Sequence, residues 1–253
     1  MTSRRGAYEF SRVGTVGAHR LTMEQTLEAV QELVASPGVS QHVVINAAKV
    51  AEAERNSALR DAILSCDLIN ADGMSVVWAS RLLGTPLPER VTGIDLMTAL
   101  FERAETQGWP VYLLGAEDAV IHEVVDRLRV RYPELPIAGF RNGYWSPDQE
   151  PEVVSAVALA DAKLLFVAMP SPRKELFVAR HRQDLNVGLV VGVGGSFDVL
   201  AGVTKRAPDV LQRAGLEWLF RLVQEPRRMW KRYLVGNTKF IGIVARQRLS
   251  SRR

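Results

Sequence analysis

The sequence predicts an α/β protein: a Rossmann-like layered fold with a mainly parallel sheet, followed by a basic helical appendage. Three observations predict it. Short aliphatic runs alternate with longer stretches of helical periodicity through the first 202 residues, the order that a layered α/β domain requires. Two of those runs, HVVIN and DLINADG, end in Asn or Asp, as buried strands do when they deliver polar groups at their C-terminal ends. The charge is also divided: residues 203–253 carry 13 Lys or Arg against 3 Asp or Glu, while the residues before them carry 19 against 25, so the net +4 conceals an acidic body and a basic tail.

Residues 1–20 begin MTSRRGAYEFSRVG, which is basic but has no apolar core or small-residue cleavage site, and this segment is expected to be flexible. Thr22 with Gln25 makes a capping box for a helix over 22–34, which Pro37-Gly38 ends. A strand at 42–46, a helix over 47–65, the strand of DLINADG, a helix over 74–83, the loop GTPLPERVTG and a helix over 94–107 complete a first lobe, 21–109. The second lobe, 110–202, reads as consecutive βα units: VYLLGA, a helix over 117–132, IAGF, a helix over 147–161, KLLFVAM, a helix over 171–182, then LVVGVGGSFD as strand, glycine turn and helix start. From residue 203 the chain reads as helical, with Gly236-Asn237 separating two tail helices. No stretch reaches the roughly 18 uninterrupted apolar residues of a membrane span, so the expected place is cytoplasmic. Cys66, the single cysteine, lies in the apolar AILSCDLI and is expected to be an inert buried thiol.

Each candidate site has a plain alternative. Gly192 and the pair Gly194-Gly195, followed by Asp198, stand where a strand turns into a helix and can bring backbone N–H groups close to a phosphate or sugar; a tight turn needs glycine anyway. The spacing is neither a Walker A loop nor GxGxxG. Asp72, in NADG, fits an N-cap or a general base, and a helix N-terminus would make it a weaker base. Arg90, in a proline-bracketed loop, offers bidentate donors to phosphate, with Asp95 following at a helix start; surface arginines are also common. Tyr144 and Trp145 in NGYW can stack on a base or sugar, or cover the core edge. The four histidines show no paired metal spacing and no Asp-x-Asp occurs, so no metal or other cofactor is expected. Cations for an anionic ligand would come from the tail, where EWLFRLVQEPRRMWKR interleaves aromatic and basic residues.

Three blocks, INADGMSVVWASRLLGTPLPERVTGIDLM, LLFVAMPSPRKE and GVGGSFDVLAGVTKRAPDVLQRAGLEWLFRLVQEPRR, resemble the WecG/TagA/CpsF glycosyltransferases from about residue 20 to 235. The resemblance implies transfer of a hexose from a UDP-sugar to a sugar carried on a polyprenyl diphosphate, at the cytoplasmic membrane face, with inversion and without metal. Position by position it implies that Asp72 is the catalytic base, that Asn46, Arg90 and Tyr144 bind substrate, and that Arg221, Arg228 and Lys231 fold over the active site. Val44 stands where teichoic-acid members have Thr, and Met169-Pro170 and Lys174-Glu175 where many have Met-Gly and Gln-Glu. These departures resemble the exopolysaccharide branch with its xanthan-type β-1,4-glucosyltransferase, so UDP-glucose is the expected donor, with UDP-N-acetylmannosamine as the alternative.

The expected partners are therefore a UDP-hexose, a lipid-diphosphate-linked sugar and an anionic membrane surface, which the tail would meet through its basic residues and Phe240, Ile241, Ile243 and Val244. A homo-oligomer burying the apolar tail is compatible with this. Nucleic acid is the rival partner, disfavoured by the tail's apolar content and the lack of a reader motif. A dinucleotide oxidoreductase is disfavoured by the glycine spacing.

Overall fold

A computed structural model describes residues 8–213, 215–224 and 226–250; for 209, 213, 221 and 227–235 it describes the backbone alone. Six strands form one sheet in the order β4-β3-β8-β7-β5-β6, and every neighbouring pair is parallel. They are β3 (Ser40–Ile45), β4 (Leu68–Ala71), β5 (Val111–Gly115), β6 (Ile137–Arg141), β7 (Leu164–Ala168) and β8 (Leu189–Gly192). Five of the six are buried along their whole length, as parallel strands between helical layers must be, with Ser40, Gln41 and His42 of β3 and Asn70 of β4 as buried polar residues; β6, at the edge, is half-exposed.

Helices cover both faces. On one, α1 (Met23–Val34), α5 (Gly93–Gln107), α6 (Asp118–Arg131) and α9 (Ser196–Leu200) enclose Leu113, Phe166 and Val191. On the other, α7 (Glu150–Leu159) and α8 (Arg173–His181) cover Leu165, Val167 and Val190. Beside them α2 (Ala47–Ala53), α3 (Ser57–Leu64) and α4 (Met74–Leu82) close over Val43, Ile45 and Ile69. The capping box of α1 forms as its sequence predicts, with the Gln25 amide donating to Thr22 Oγ1 and the Thr22 amide to Gln25 Oε1. Cys66 is buried against Ala62, and burial pushes its thiol well above the ordinary range.

Four expectations change. Strands from both expected lobes join the one sheet, with β3 pairing directly to β8, so the sheet does not divide at residue 109. The stretch 47–65 is two helices, because the Asn56 side chain accepts from Leu59 N and starts α3. Within the segment expected to be flexible, β1 (Phe10–Val13) and β2 (Val16–His19) pair as an antiparallel hairpin, turning at Gly14 with φ 64°. The tail forms α10 (Asp209–Arg213), α11 (Glu217–Gln224) and α12 (Pro226–Ser250), and α12 runs unbroken through Gly236-Asn237. It does so because Gly236 packs on α2: a Cβ there would lie only 3.4 Å from Ala48 Cβ, so close helix contact outweighs glycine's poor propensity.

The same packing corrects the expected membrane-facing side. Phe240 and Val244 are buried in the core that α2, α3 and α4 form, leaving Ile241 and Leu249 exposed and Ile243 half-buried. Gln247 ties α12 to the hairpin, accepting from Gly14 N at 2.7 Å and donating to Arg12 O at 3.1 Å. Among the described residues, no helix is long and apolar enough to cross a membrane.

Candidate active site

The chain leaves β3 toward β4 on one side, while β8 lies beside β3 on the other, so the C-terminal ends of these strands form the topological switch point, the place where open α/β sheets carry their ligand crevice. Asp72 follows β4 directly, and its amide donates to Ile45 O at the end of β3. It does not cap α4, whose N-cap is Gly73 with no side-chain bond. Instead Asp72 Oδ1 accepts from Gly93 N, the first amide of α5, at 3.2 Å. The carboxylate thus stands between the starts of two helices, half-buried and facing the crevice mouth.

Asn46 is adjacent: it caps α2 by accepting from Lys49 N at 3.1 Å, and its Cβ lies 3.4 Å from where Gly73 would carry one. Val91 N donates to Ala71 O, which pins the GTPLPERVTG loop to the end of β4 and places Arg90 at the same mouth. There the Arg90 guanidinium pairs with Glu217 of α11 at 3.0 Å, with both side chains largely covered. Asp95 has a structural role that its sequence position only hinted at. Thr92 Oγ1 donates to its Oδ2 at 2.6 Å, its amide returns the bond, and Arg206 pairs with its Oδ1. Both pairs tie the C-terminal segment to the body beside Asp72.

The glycine turn lies on the other flank. Gly194 has φ 55°, and Gly195 precedes α9 without a side-chain cap. Asp198 is in the first turn of α9, with its Oδ2 3.5 Å from the Cβ position of Gly195. Tyr144 stands farther along the same edge of the sheet. It lies in the loop after β6, which folds back over the end of β5, where Gly143 N donates to Ala116 O and Arg173 donates to Gly143 O at 2.8 Å, and its side chain is exposed. Its neighbour Trp145 covers the core, edge-on to Phe177 with the Arg173 guanidinium 4.6 Å above its ring. The side chains of Arg221, Arg228 and Lys231 lie outside the described residues; their backbones belong to α11 and α12.

A buried charge cluster beneath the mouth was not among the expected site residues. Lys49 Nζ donates to Glu175 Oε1 at 2.8 Å and to Val44 O at 2.7 Å, while Lys174 Nζ stands 3.4 Å from the same Glu175 oxygen. Burial opposes the Glu175 charge, but the two ammonium groups hold its carboxyl well below the usual range. Burial first, and then Lys49, lowers Lys174 to about 8. Only the positions of Lys49 and Glu175 on the covered faces of α2 and α8 could have hinted at this in the sequence. Behind it, His42 Nε2 meets Asn70 Oδ1 at 3.0 Å, and Asn70 donates to Thr26; burial lowers His42 to about 3. His19 accepts from Ile69 N, and burial lowers it to about 4.

The arrangement offers a carboxylate at a crevice mouth with cations on either side, the needs of proton abstraction coupled to loss of an anionic leaving group. Among the described residues, no group of three or more His, Cys, Asp or Glu is placed to hold a metal ion.

The chain is 35% identical over 201 residues, 79% of its length and 77% of its relative's, to the N-acetylglucosaminyldiphosphoundecaprenol N-acetyl-beta-D-mannosaminyltransferase of Bacillus spizizenii. This similarity corrects the expectation of a glucose-transferring exopolysaccharide enzyme, which rested on Val44, Met169-Pro170 and Lys174-Glu175. In the structure Lys174 and Glu175 belong to the interior cluster, and Val44 is buried with its carbonyl bound to Lys49. The model of the glycosyl transferase WecG/TagA/CpsF family matches residues 12–253, nearly the whole chain, and with that match and the shared length of the Bacillus enzyme, the chain belongs to this family of glycosyltransferases.

Proposed function

We propose that the protein transfers an N-acetylmannosaminyl residue from its UDP-sugar to an N-acetylglucosaminyl diphosphate carried on a polyprenyl lipid. The similarity to the Bacillus transferase over four-fifths of the chain carries the choice of substrate. The geometry supports the mechanism. Asp72 takes the proton of the acceptor hydroxyl as that oxygen attacks the anomeric carbon; the bond from that carbon to the β-phosphate oxygen breaks, and its electron pair leaves with UDP. Attack opposite the leaving group inverts the anomeric centre. Arg90 and the basic C-terminal segment supply positive charge for the departing diphosphate, a role that removes the need for a metal ion. The pairs of Arg90 with Glu217 and Asp95 with Arg206 hold that segment beside Asp72, so completing the site and positioning the segment are one event. The basic tail also supports peripheral contact with an anionic leaflet, at about 1 kcal/mol per basic residue near the surface.

The test is UDP release in the presence of EDTA from UDP-N-acetylmannosamine and a short-prenyl N-acetylglucosaminyl diphosphate. Asp72→Asn is expected to lower turnover at least about a hundredfold with UDP binding retained. Turnover of the variant at the wild-type rate would remove Asp72 as the base, and lack of acceptor-dependent release by the wild type would remove the substrate assignment.

A further inference from the structure

The buried cluster has a geometry that its own packing does not account for. Two ammonium groups share a single carboxylate oxygen, Glu175 Oε1, while Glu175 Oε2 is buried with no hydrogen-bond partner among the described residues. Lys49 is well satisfied, by Glu175 and by Val44 O. Lys174 has the longer contact: its Nζ lies 3.4 Å from the same oxygen, although its side chain is only 5% exposed. Buried charges are kept only where they are matched; the second ammonium is set against the Asp72 carboxylate, so loss of that charge calls for another anion at this place.

The direction in which Lys174 reaches shows where that anion goes. Its side chain, from α8, passes directly under Gly192, where a Cβ would lie 2.8 Å from Lys174 Cε and 3.4 Å from Nζ. Any side chain at Gly192 would push the ammonium aside. The chain then turns upward at Gly194, whose missing Cβ faces Lys174 Nζ at 4.0 Å and no nearer atom. The two missing side chains therefore leave the space that the Lys174 ammonium occupies, at the end of β8 and within electrostatic reach of Asp72.

We propose that Lys174 is a diphosphate-binding residue of the active site, its ammonium reaching the ligand through the gap over Gly192 and Gly194. This rests on the glycosyltransferase reading above, and adds a cation fixed in the body of the protein to those on its C-terminal segment. The charged and titratable groups around Lys174 are Lys49 on α2, Glu175 on α8, His42 on β3 and Asp72 after β4; Asp198 on α9 faces the Gly195 side of the turn. When Asp72 accepts the acceptor's proton its negative charge disappears, and Lys174 is left with the diphosphate as its counter-charge. Binding and proton transfer are coupled through one lysine.

Calorimetric titration of the full chain with UDP tests this. In the wild type near pH 8, where free Lys174 is partly neutral, binding is expected to take up a fraction of a proton, read from buffers of different ionisation enthalpy; the UDP phosphates are ionised there and the uracil imide keeps its proton. Lys174→Gln is expected to abolish that uptake and weaken UDP binding about tenfold or more at pH 7, with a thermal melt confirming that the variant is folded. A second arm titrates the short-prenyl N-acetylglucosaminyl diphosphate: a loss confined to UDP assigns the nucleotide diphosphate, and a loss confined to the prenyl compound assigns the acceptor's. Wild-type UDP binding with no proton uptake, or equal affinities of wild type and variant for both compounds, overturns the proposal and leaves the family reading intact. A wild type that binds neither compound overturns both.

Discussion

Beneath the mouth, Lys49, Lys174 and Glu175 are almost wholly buried around one carboxylate oxygen, whereas above it Arg90 with Glu217 and Arg206 with Asp95 join the body to the C-terminal segment in part-exposed pairs. The residue types are the same and their energetic meaning differs. In the interior a charge cannot trade its partner for water, so the cluster is fixed and breaking it is costly. Water can replace a lost partner for Arg206 and Asp95, about a third exposed, while the largely covered pair of Arg90 and Glu217 lies between the two cases. The lower set suits a permanent part of the site, and the upper set suits a contact that is made and released.

Three changes sharpen that contrast. Glu175→Gln removes the counter-charge of both lysines and is expected to destabilise the protein by about 3 kcal/mol or more in chemical denaturation; a change below about 1 kcal/mol would mean that water reaches the cluster. Acidification acts on the histidines behind the cluster. His42 and His19 have folded values lowered to about 3 and 4 by burial, so below about pH 6.5 the unfolded chain takes up protons that the folded one does not. Stability is complete above that pH and is lost on the way down, at about 1.4 kcal/mol per pH unit for each histidine until its folded value is reached, and Glu175 adds to the loss below about pH 4.5. Denaturation midpoints between pH 7 and 4 that do not fall would show these imidazoles to be solvated. The smallest effect is Glu217→Gln, expected to cost about 1 kcal/mol or less, with a changed KM for the donor as Arg90 loses its partner.

Much of the fold was legible because its signals are local. The Thr22 and Gln25 capping box, the αL residue Gly108 that ends α5, and strands closing on Asn46 and Asp72 each depend on a few neighbouring residues. So did the position of Asp72, since a strand that ends in a carboxylate puts it at the crevice. What was hidden depends on distant partners. Lys49 and Glu175 are 126 residues apart, Asp95 and Arg206 are 111 apart, and nothing in LPERVTGID announces that Asp95 is engaged at both oxygens. The hairpin strands are four residues each, too short to show a period, and become legible only once Gln247 clasps their turn. The continuity of α12 was misread for the same reason: Gly236-Asn237 is a break in an isolated helix and a close-packing face on α2.

The docking of α12 also sets an order of events during synthesis. The core between the hairpin, α2 and α4 is completed by Phe240 and Val244, and the hairpin turn is held by Gln247, so the hairpin waits for residues more than two hundred positions later in the chain. The strand pairing of β3 with β8 imposes a similar delay. Folding of this chain is therefore a late event that closes around its middle, and a nascent chain halted before α12 emerges presents an open apolar surface to whatever chaperone or neighbouring chain it meets.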